Sequence, residues 1–89
     1  MDSKPKSVTM EHLESLVATE EYLRPETAKT LTICVLTLKN GFSLVGESAC
    51  ADPENYNRLL GEKLARANAL NKAWPLEGYL LRQQLHDAE

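Results

Sequence analysis

Cysteine, aromatic residues and positive charge are scarce in this sequence of 89 residues. It contains two cysteines, two histidines, one Trp and one Phe, and its formal net charge is −3. Two cysteines are too few for a disulfide scaffold, and two histidines beside them give no recognisable set of zinc ligands. A chain of net negative charge is also a poor general binder of nucleic-acid phosphates. We therefore expect no cofactor, no metal site and no nucleic-acid partner.

Long apolar runs are absent as well. No segment approaches the ~20 apolar residues that span a bilayer, and residues 1–15 lack the apolar core of a signal peptide. We therefore expect a protein of the cytoplasm without a membrane partner. The length of the chain fits one domain, which we place at residues 9–89 behind a flexible N-terminus at residues 1–8.

Two β-rich runs surround the pair Asn40-Gly41. Residues 30–38 and 42–49 are rich in β-branched and aliphatic side chains, which favour strands. Asn-Gly is the pair best suited to a two-residue hairpin turn, because both turn positions need a positive φ. The sequence therefore predicts a β-hairpin with its turn at Asn40-Gly41.

A two-residue turn also fixes which residues of the two strands face each other. In the predicted register Cys34 faces Glu47 and Leu36 faces Val45. Both faces of the hairpin are then substantially apolar, whereas a solvated antiparallel hairpin has one polar face. Helices can cover one face, and the other needs a further layer or another subunit. We therefore expect a homo-oligomer, which would also add stability to so short a chain.

Helical patterns precede and follow the hairpin. Thr9 is a candidate N-cap for a first helix, and Asp52-Pro53 is typical of the start of a second. Pro75 is expected to end that helix, because the residue before a proline avoids the α region. We expect an α+β fold in which the hairpin packs against two or three helices, at about 10–20, 53–73 and 76–86, with residues 20–24 as a further strand candidate.

The long helix carries a regular apolar stripe. Glu62 and Arg66 fall on its opposite side, where they would form an exposed i, i+4 ion pair. Gly61 is expected to mark a close approach of the hairpin backbone. The expected buried stripe consists of Tyr56, Leu59, Leu60, Lys63, Leu64, Ala67 and Leu70.

No catalytic pattern is present, so we do not expect an enzyme, and five residues are candidates for binding a ligand or partner. Glu47 is a carboxylate in an otherwise apolar or small strand, where it lies either at an exposed edge or in a polar pocket. Trp74 and Tyr79 belong either to a core or to an interface or base-stacking platform. Asn68 and Asn71, close to Lys72 and Trp74, form a polar cluster, which is either plain surface or part of a ligand site.

Several spaced pieces of the sequence resemble one family of small tailed-phage accessory proteins, named after the gene-49 product of a lytic coliphage and the gene-66 product of a Shigella phage. The resemblance covers residues 34–81 and implies a phage or prophage origin, with expression inside an infected bacterium. The family has no established biochemical activity, so the resemblance assigns no catalytic residue. The matching pieces are residues 38–42 (LKNGF), 46–49 (GESA), 68–69 (NA) and 74–79 (WPLEGY).

Three functional hypotheses follow. The leading one is a non-enzymatic phage or prophage accessory protein that acts by binding in the host cytoplasm, in host takeover or counter-defence. The first alternative is an oligomer that sequesters a small nucleotide ligand between subunits. The second alternative is a minor component of the virion or of its assembly. The nucleotide hypothesis would use Asn68, Lys72, Trp74 and Tyr79.

Overall fold

A computed structural model describes residues 7–89 of the chain. The expected α+β fold is confirmed: three antiparallel strands form one sheet in the order β1-β2-β3, and helices cover one of its faces. The predicted flexible N-terminus falls, apart from Ser7 and Val8, outside the described residues. In chain order the elements are α1 (Met10–Ser15), β1 (Val17–Leu23), β2 (Leu31–Leu38), β3 (Ser43–Ala49), α2 (Arg58–Asn71) and α3 (Ala73–Asp87).

Helix α1 begins as predicted and ends early. The Thr9 hydroxyl accepts a hydrogen bond from the backbone N–H of His12 at 3.1 Å, which confirms Thr9 as the N-cap. The helix ends at Ser15, so its predicted extension to residue 20 is wrong. Val17, a β-branched residue, instead pairs with Leu38 at the start of β1. Of the segment suggested at residues 20–24, residues 20–23 thus belong to β1, which begins earlier than expected.

The hairpin is confirmed, but its turn is one residue longer than predicted. The Leu38 N–H donates to the Phe42 carbonyl at 2.8 Å, so the loop consists of Lys39, Asn40 and Gly41. Within this loop, only Gly41 has a positive φ, of 91°. The Asn40 side chain instead accepts from the Phe42 N–H at 3.0 Å, a local turn that Asn readily forms. This arrangement is the three-residue hairpin loop with glycine at its last position.

The longer loop moves the register of the hairpin by one residue. Cys34 pairs with Gly46 and Leu36 pairs with Leu44, so the predicted pairs of these two residues are wrong. Because side chains alternate along a strand, a one-residue shift turns every side chain of β3 to the opposite face. Glu47 consequently lies on the face away from the helices.

Helix α2 begins later than predicted. Asp52 accepts from the Glu54 N–H at 3.0 Å and caps only a short 3₁₀ turn, Pro53–Asn55. The backbone is extended again at Tyr56 and Asn57, and the Asn57 side chain caps α2 by accepting from the Leu60 N–H at 3.1 Å. The predicted start at residue 53 therefore marks a separate turn.

Apart from Leu70, the buried residues of α2 are small; of the predicted stripe only Leu70 is buried, and Tyr56 is half-buried. The cause lies in β3, where a side chain added to Gly46 would meet the Ala65 carbonyl and the Ala69 nitrogen and lie 2.7 Å from Ala69 Cα. The helix backbone thus rests directly on the strand. Gly61, expected to mark such an approach, faces the Thr32 side chain instead. The stripe residues Leu59, Leu60, Lys63, Leu64 and Ala67 are exposed.

Pro75 does not end a helix. Helix α2 ends at Asn71, and α3 begins two residues later at Ala73, so the two form one long bent helix. Pro75 lies in the first turn of α3, where its missing N–H leaves no helical hydrogen bond unmade. The bend therefore lies at Lys72, and the predicted start of the third helix at residue 76 is three residues late.

The core lies between the sheet and the helices. Every second residue of β2 is buried, and the remaining residues of that strand are only half-buried. Helix α1 contributes one fully buried leucine, Leu13, and α2 contributes the buried alanines Ala65 and Ala69. The buried residues are Leu13, Thr32, Cys34, Leu36, Leu38, Leu44, Gly46, Ala65, Ala69, Leu70 and Ala73.

Arg66 joins three elements. Its guanidinium donates two hydrogen bonds to the Glu14 carboxylate, at 2.7 and 2.9 Å, and one to Glu20 at 2.8 Å. Hydrogen bonds from Arg66 lower the pKa of both carboxyls. Burial and the hydrogen bond donated to Glu20 raise the pKa of Tyr22 to about 12. The predicted outer ion pair with Glu62 is wrong, because α2 turns Arg66 toward α1 and β1.

This arrangement predicts a pH-dependent stability. Because the folded pKa of each carboxyl lies below its ordinary value, the ion pairs stabilise the fold above about pH 4.5 and lose this effect as the pH falls below it. We expect Arg66→Met to lower the free energy of unfolding by about 1 kcal/mol at pH 7, since solvent screens these half-exposed carboxylates.

Urea unfolding at pH 7 and at pH 3 measures the effect of Arg66→Met. The difference from the unmodified protein should shrink at pH 3, where the carboxyls take up protons. Arg58→Met, at the exposed first residue of α2, is the matched control and should change stability little at either pH. An equal loss for Arg66→Met at both pH values would contradict the assigned role of Glu14 and Glu20.

Candidate functional site: the open face of the sheet

One face of the sheet is apolar and carries no helix. Its strand residues are half-buried or exposed, whereas the residues of β2 that face the helices are buried. Register places Val45 opposite Val35 on this face, and Leu23 opposite Ile33. We call this surface the open face. Its apolar residues are Leu23, Leu31, Ile33, Val35, Val45 and Ala49.

The open face has charge of one sign. Glu21, on β1, pairs with Val35, and Glu47, on β3, pairs with Ile33. Both carboxylates are exposed, and the strand residues of this face include no Lys, Arg or His. The surface therefore combines an apolar centre with acidic flanks on both outer strands, an arrangement suited to a partner with an apolar patch and a basic rim.

Glu47 and Asn68 are the two predicted site residues that the structure brings together. The Asn68 side-chain amide donates to the backbone carbonyl of Glu47 at 2.8 Å. This bond occupies a carbonyl of an edge strand, which would otherwise be open to pairing with another chain. Asn68 thus fastens α2 to β3, and the Glu47 carboxylate stays exposed to solvent.

The other three predicted residues lie apart from this contact. Lys72 is exposed at the junction of α2 and α3. Trp74 packs partly against the core, and its indole N–H donates to the Asn71 side chain at 3.2 Å. Tyr79 is 72% exposed on α3. None of the five predicted residues lines either of two grooves, described next, on residues 7–89, and their roles in binding stay predictions.

The larger groove, of about 420 Å³, lies between α1, the hairpin turn and α3. His12 Nε2 lies 2.8 Å from Glu77 Oε1 across it, and this contact ties α1 to α3. Neither residue was a predicted site residue, because 65 positions separate them and no local motif connects them. Val8, Leu16 and Leu38 form its apolar floor. We call this the α3 groove.

Neither a metal-binding cluster nor a membrane-spanning helix is present in the part of the chain that the structure describes. Within residues 7–89, no three or more His, Cys, Asp or Glu side chains cluster closely enough to hold a metal ion. No helix in the same part of the chain has the length and apolar character required to cross a membrane.

Comparison with known proteins identifies the family. The chain matches no curated protein and no solved structure. Residues 8–85 match the profile of the family described as "Phage protein (N4 Gp49/phage Sf6 gene 66) family". The match extends the resemblance seen at residues 34–81 in both directions and includes every strand and all but the last two residues of α3. The chain therefore belongs to the N4 Gp49/phage Sf6 gene 66 family of phage proteins.

Proposed function

We propose that this phage protein is a non-enzymatic accessory protein that binds a host protein in the cytoplasm of the infected bacterium, through its open face. The observation that carries the proposal is the apolar centre of that face, which the chain's own helices leave uncovered. Exposed apolar patches flanked by polar residues typically serve as protein-interaction surfaces. A protein that redirects or protects against a host activity needs only such a surface.

The charges of the open face define the chemistry of the partner. Glu21 and Glu47 flank the apolar centre on opposite strands, and the overall charge of −3 has the same sign. Charge complementarity speeds association and excludes partners of like charge. The proposed partner therefore presents an apolar patch with Lys or Arg at its rim. Binding would be weakened by added salt, because the carboxylates are exposed and screened.

Substitution of Val45 tests the proposal. Val45 is 42% exposed at the open face, so Val45→Lys should leave the fold intact while placing a cation against a basic, apolar partner. We expect the tagged protein to retain one host protein from infected cells, and Val45→Lys to lose it. With the purified partner, the dissociation constant should rise by roughly tenfold or more.

Two controls make the test specific. Leu59→Lys places the same side chain at a leucine that is 68% exposed on α2, away from the open face, and should retain the partner. Glu47→Lys should weaken binding, whereas Glu54→Lys, at an exposed carboxylate outside the sheet, should not. Retention of the partner by Val45→Lys, or its loss with Leu59→Lys alone, would overturn the proposal.

The two alternative functions predict different results. A nucleotide-sequestering protein would release a small molecule that absorbs ultraviolet light when denatured, and Trp74→Ala would abolish its retention. A virion component would be found in purified phage particles. Either result without a host partner would replace the proposal. The two grooves described on residues 7–89 support neither alternative, since neither is lined by Trp74, Tyr79, Asn68 or Lys72.

A further inference from the structure

The open face is one helix wide between its two carboxylates. Its middle is the central strand β2, where Leu31, Ile33 and Val35 are half-buried. Glu21 pairs with Val35 from β1, and Glu47 pairs with Ile33 from β3. Because β1 and β3 are separated by two strand spacings, their backbones lie about 10 Å apart. An α-helix with its side chains is about 10–12 Å across, so one helix along β2 fills the space between the two carboxylates.

The apolar centre of the open face also has the length of a short helical contact. Toward the hairpin turn it ends at a row of hydroxyl residues, in which Thr37 pairs with Thr19 and Ser43. From Val35 to Leu31 the strand rises about 14 Å, a length that about nine residues of α-helix cover. A helix on this centre therefore needs one apolar stripe with residues at i, i+4 and i+7.

The opposite face of the same sheet already carries a helix. Helix α2 rests on β3 with its backbone against Gly46, so only small residues fit between them. The paired strand residues of the open face include no glycine. A helix on the open face consequently lies at the ordinary distance set by side chains, and its apolar stripe can consist of large residues.

Charge disfavours a second copy of the chain as the cover of this face. A second open face has the same carboxylates, Glu21 and Glu47, and its strand residues include no Lys, Arg or His to pair with them. Two open faces in contact would bring like charges together, which opposes association. A cationic helix instead gains an attraction on each of its two flanks.

We infer that the element of the host partner that packs on the open face is a basic amphipathic helix, which lies along β2. The inference rests on the proposed function, because it names the part of the partner that this face binds. The apolar stripe of the helix covers Ile33 and Val35. A Lys or Arg on one flank lies beside Glu21, and a Lys or Arg on the other flank lies beside Glu47.

Two synthetic peptides of identical composition test the inference. Each has about 18 residues of Leu, Lys, Ala and Gln, because shorter helices are marginal in water, and each has leucines at i, i+4, i+7 and i+11. The lysines of the first peptide flank the leucine stripe, whereas those of the second lie on the opposite side of the helix. By fluorescence anisotropy, we expect the first peptide to bind roughly tenfold more tightly than the second.

Variants of the phage protein locate the bound peptide. Val45→Lys and Glu47→Lys should each weaken binding of the first peptide by roughly tenfold, whereas the controls Leu59→Lys and Glu54→Lys should not. The double variant Glu21→Lys/Glu47→Lys should instead bind a form of the first peptide in which Glu replaces every Lys. A variant that failed to fold would not gain this binding, so the exchange of charges separates loss of contact from loss of structure.

The outcomes distinguish this inference from the proposed function. If a host protein is retained through Val45 and the two peptides bind equally, the helix is wrong and the proposed function stands. If no host protein depends on Val45, the proposed function fails and the helix fails with it. A dimer of the phage protein in sedimentation equilibrium that Val45→Lys dissociates would show that a second copy covers the open face, and it would also overturn the inference.

Discussion

Replacing Gly46 by alanine should destabilise the fold severely, although alanine ordinarily suits a strand better than glycine. The added methyl group would meet the Ala65 carbonyl and the Ala69 nitrogen, and both belong to the backbone of α2. Neither can move unless the helix lifts from the sheet. We expect the free energy of unfolding to fall by about 3 kcal/mol, at the upper end of the usual cost of overpacking. Urea unfolding followed by circular dichroism measures the change.

Gly78→Ala is the matched control for Gly46→Ala. A side chain added at Gly78 meets nothing within 4 Å, and alanine favours a helix over glycine by about 1 kcal/mol. This variant should therefore be slightly more stable than the unmodified protein. If Gly46→Ala were equally well tolerated, the close contact between α2 and β3, and the register that creates it, would both be wrong.

Leu36→Ala and Val35→Ala should differ greatly in stability although they are neighbours in β2. Leu36 is fully buried between the sheet and α2, and removing such a leucine costs about 2–5 kcal/mol. Val35 is only half-buried on the open face, so its truncation should cost about 1 kcal/mol or less. Thermal and urea unfolding of the two variants measures the difference.

This pair of variants tests whether the open face is open. A stable cover over Val35, whether from another subunit or from the chain itself, would make Val35→Ala nearly as costly as Leu36→Ala. Equal costs would therefore contradict the assignment of the two faces. The measurement uses the purified protein alone, so it does not depend on knowing the partner.

The hairpin could be predicted from sequence because its signals are local. β-branched runs and an Asn-Gly pair need no knowledge of the rest of the chain, and the Thr9 cap likewise depends only on the next few residues. The register could not be predicted in the same way. Asn40-Gly41 is compatible with both a two-residue and a three-residue loop, and the choice decides on which face Glu47 lies.

The orientation of α2 escaped prediction for a different reason. Leu59, Leu60 and Leu64 follow a helical period and are typical of a buried stripe, yet the structure leaves them exposed. The contact of Gly46 with α2 admits only small residues, and this steric limit outweighs the larger apolar area of the leucines. Gly46 and the alanines of α2 are compatible with this close contact. They predict the orientation of α2 only once β3 and α2 are known to touch.

The candidate site was predictable in part. The sequence indicated that the hairpin has a surplus apolar face, and the structure shows such a face without a helix on it. Glu47 belongs to that face, whereas the contact between His12 and Glu77 joins positions 65 residues apart and had no local signal. The family resemblance in the sequence depended on several spaced pieces taken together, and the family match covers residues 8–85.

Native mass spectrometry of the protein purified gently from infected cells tests the central claim most directly. The account predicts a complex of the phage protein with one host protein, and the loss of that complex with Val45→Lys but not with Leu59→Lys. A complex that Val45→Lys leaves intact would contradict the claim that the open face binds the partner. A mass increase from a small molecule, with no host protein bound, would contradict the proposed function itself.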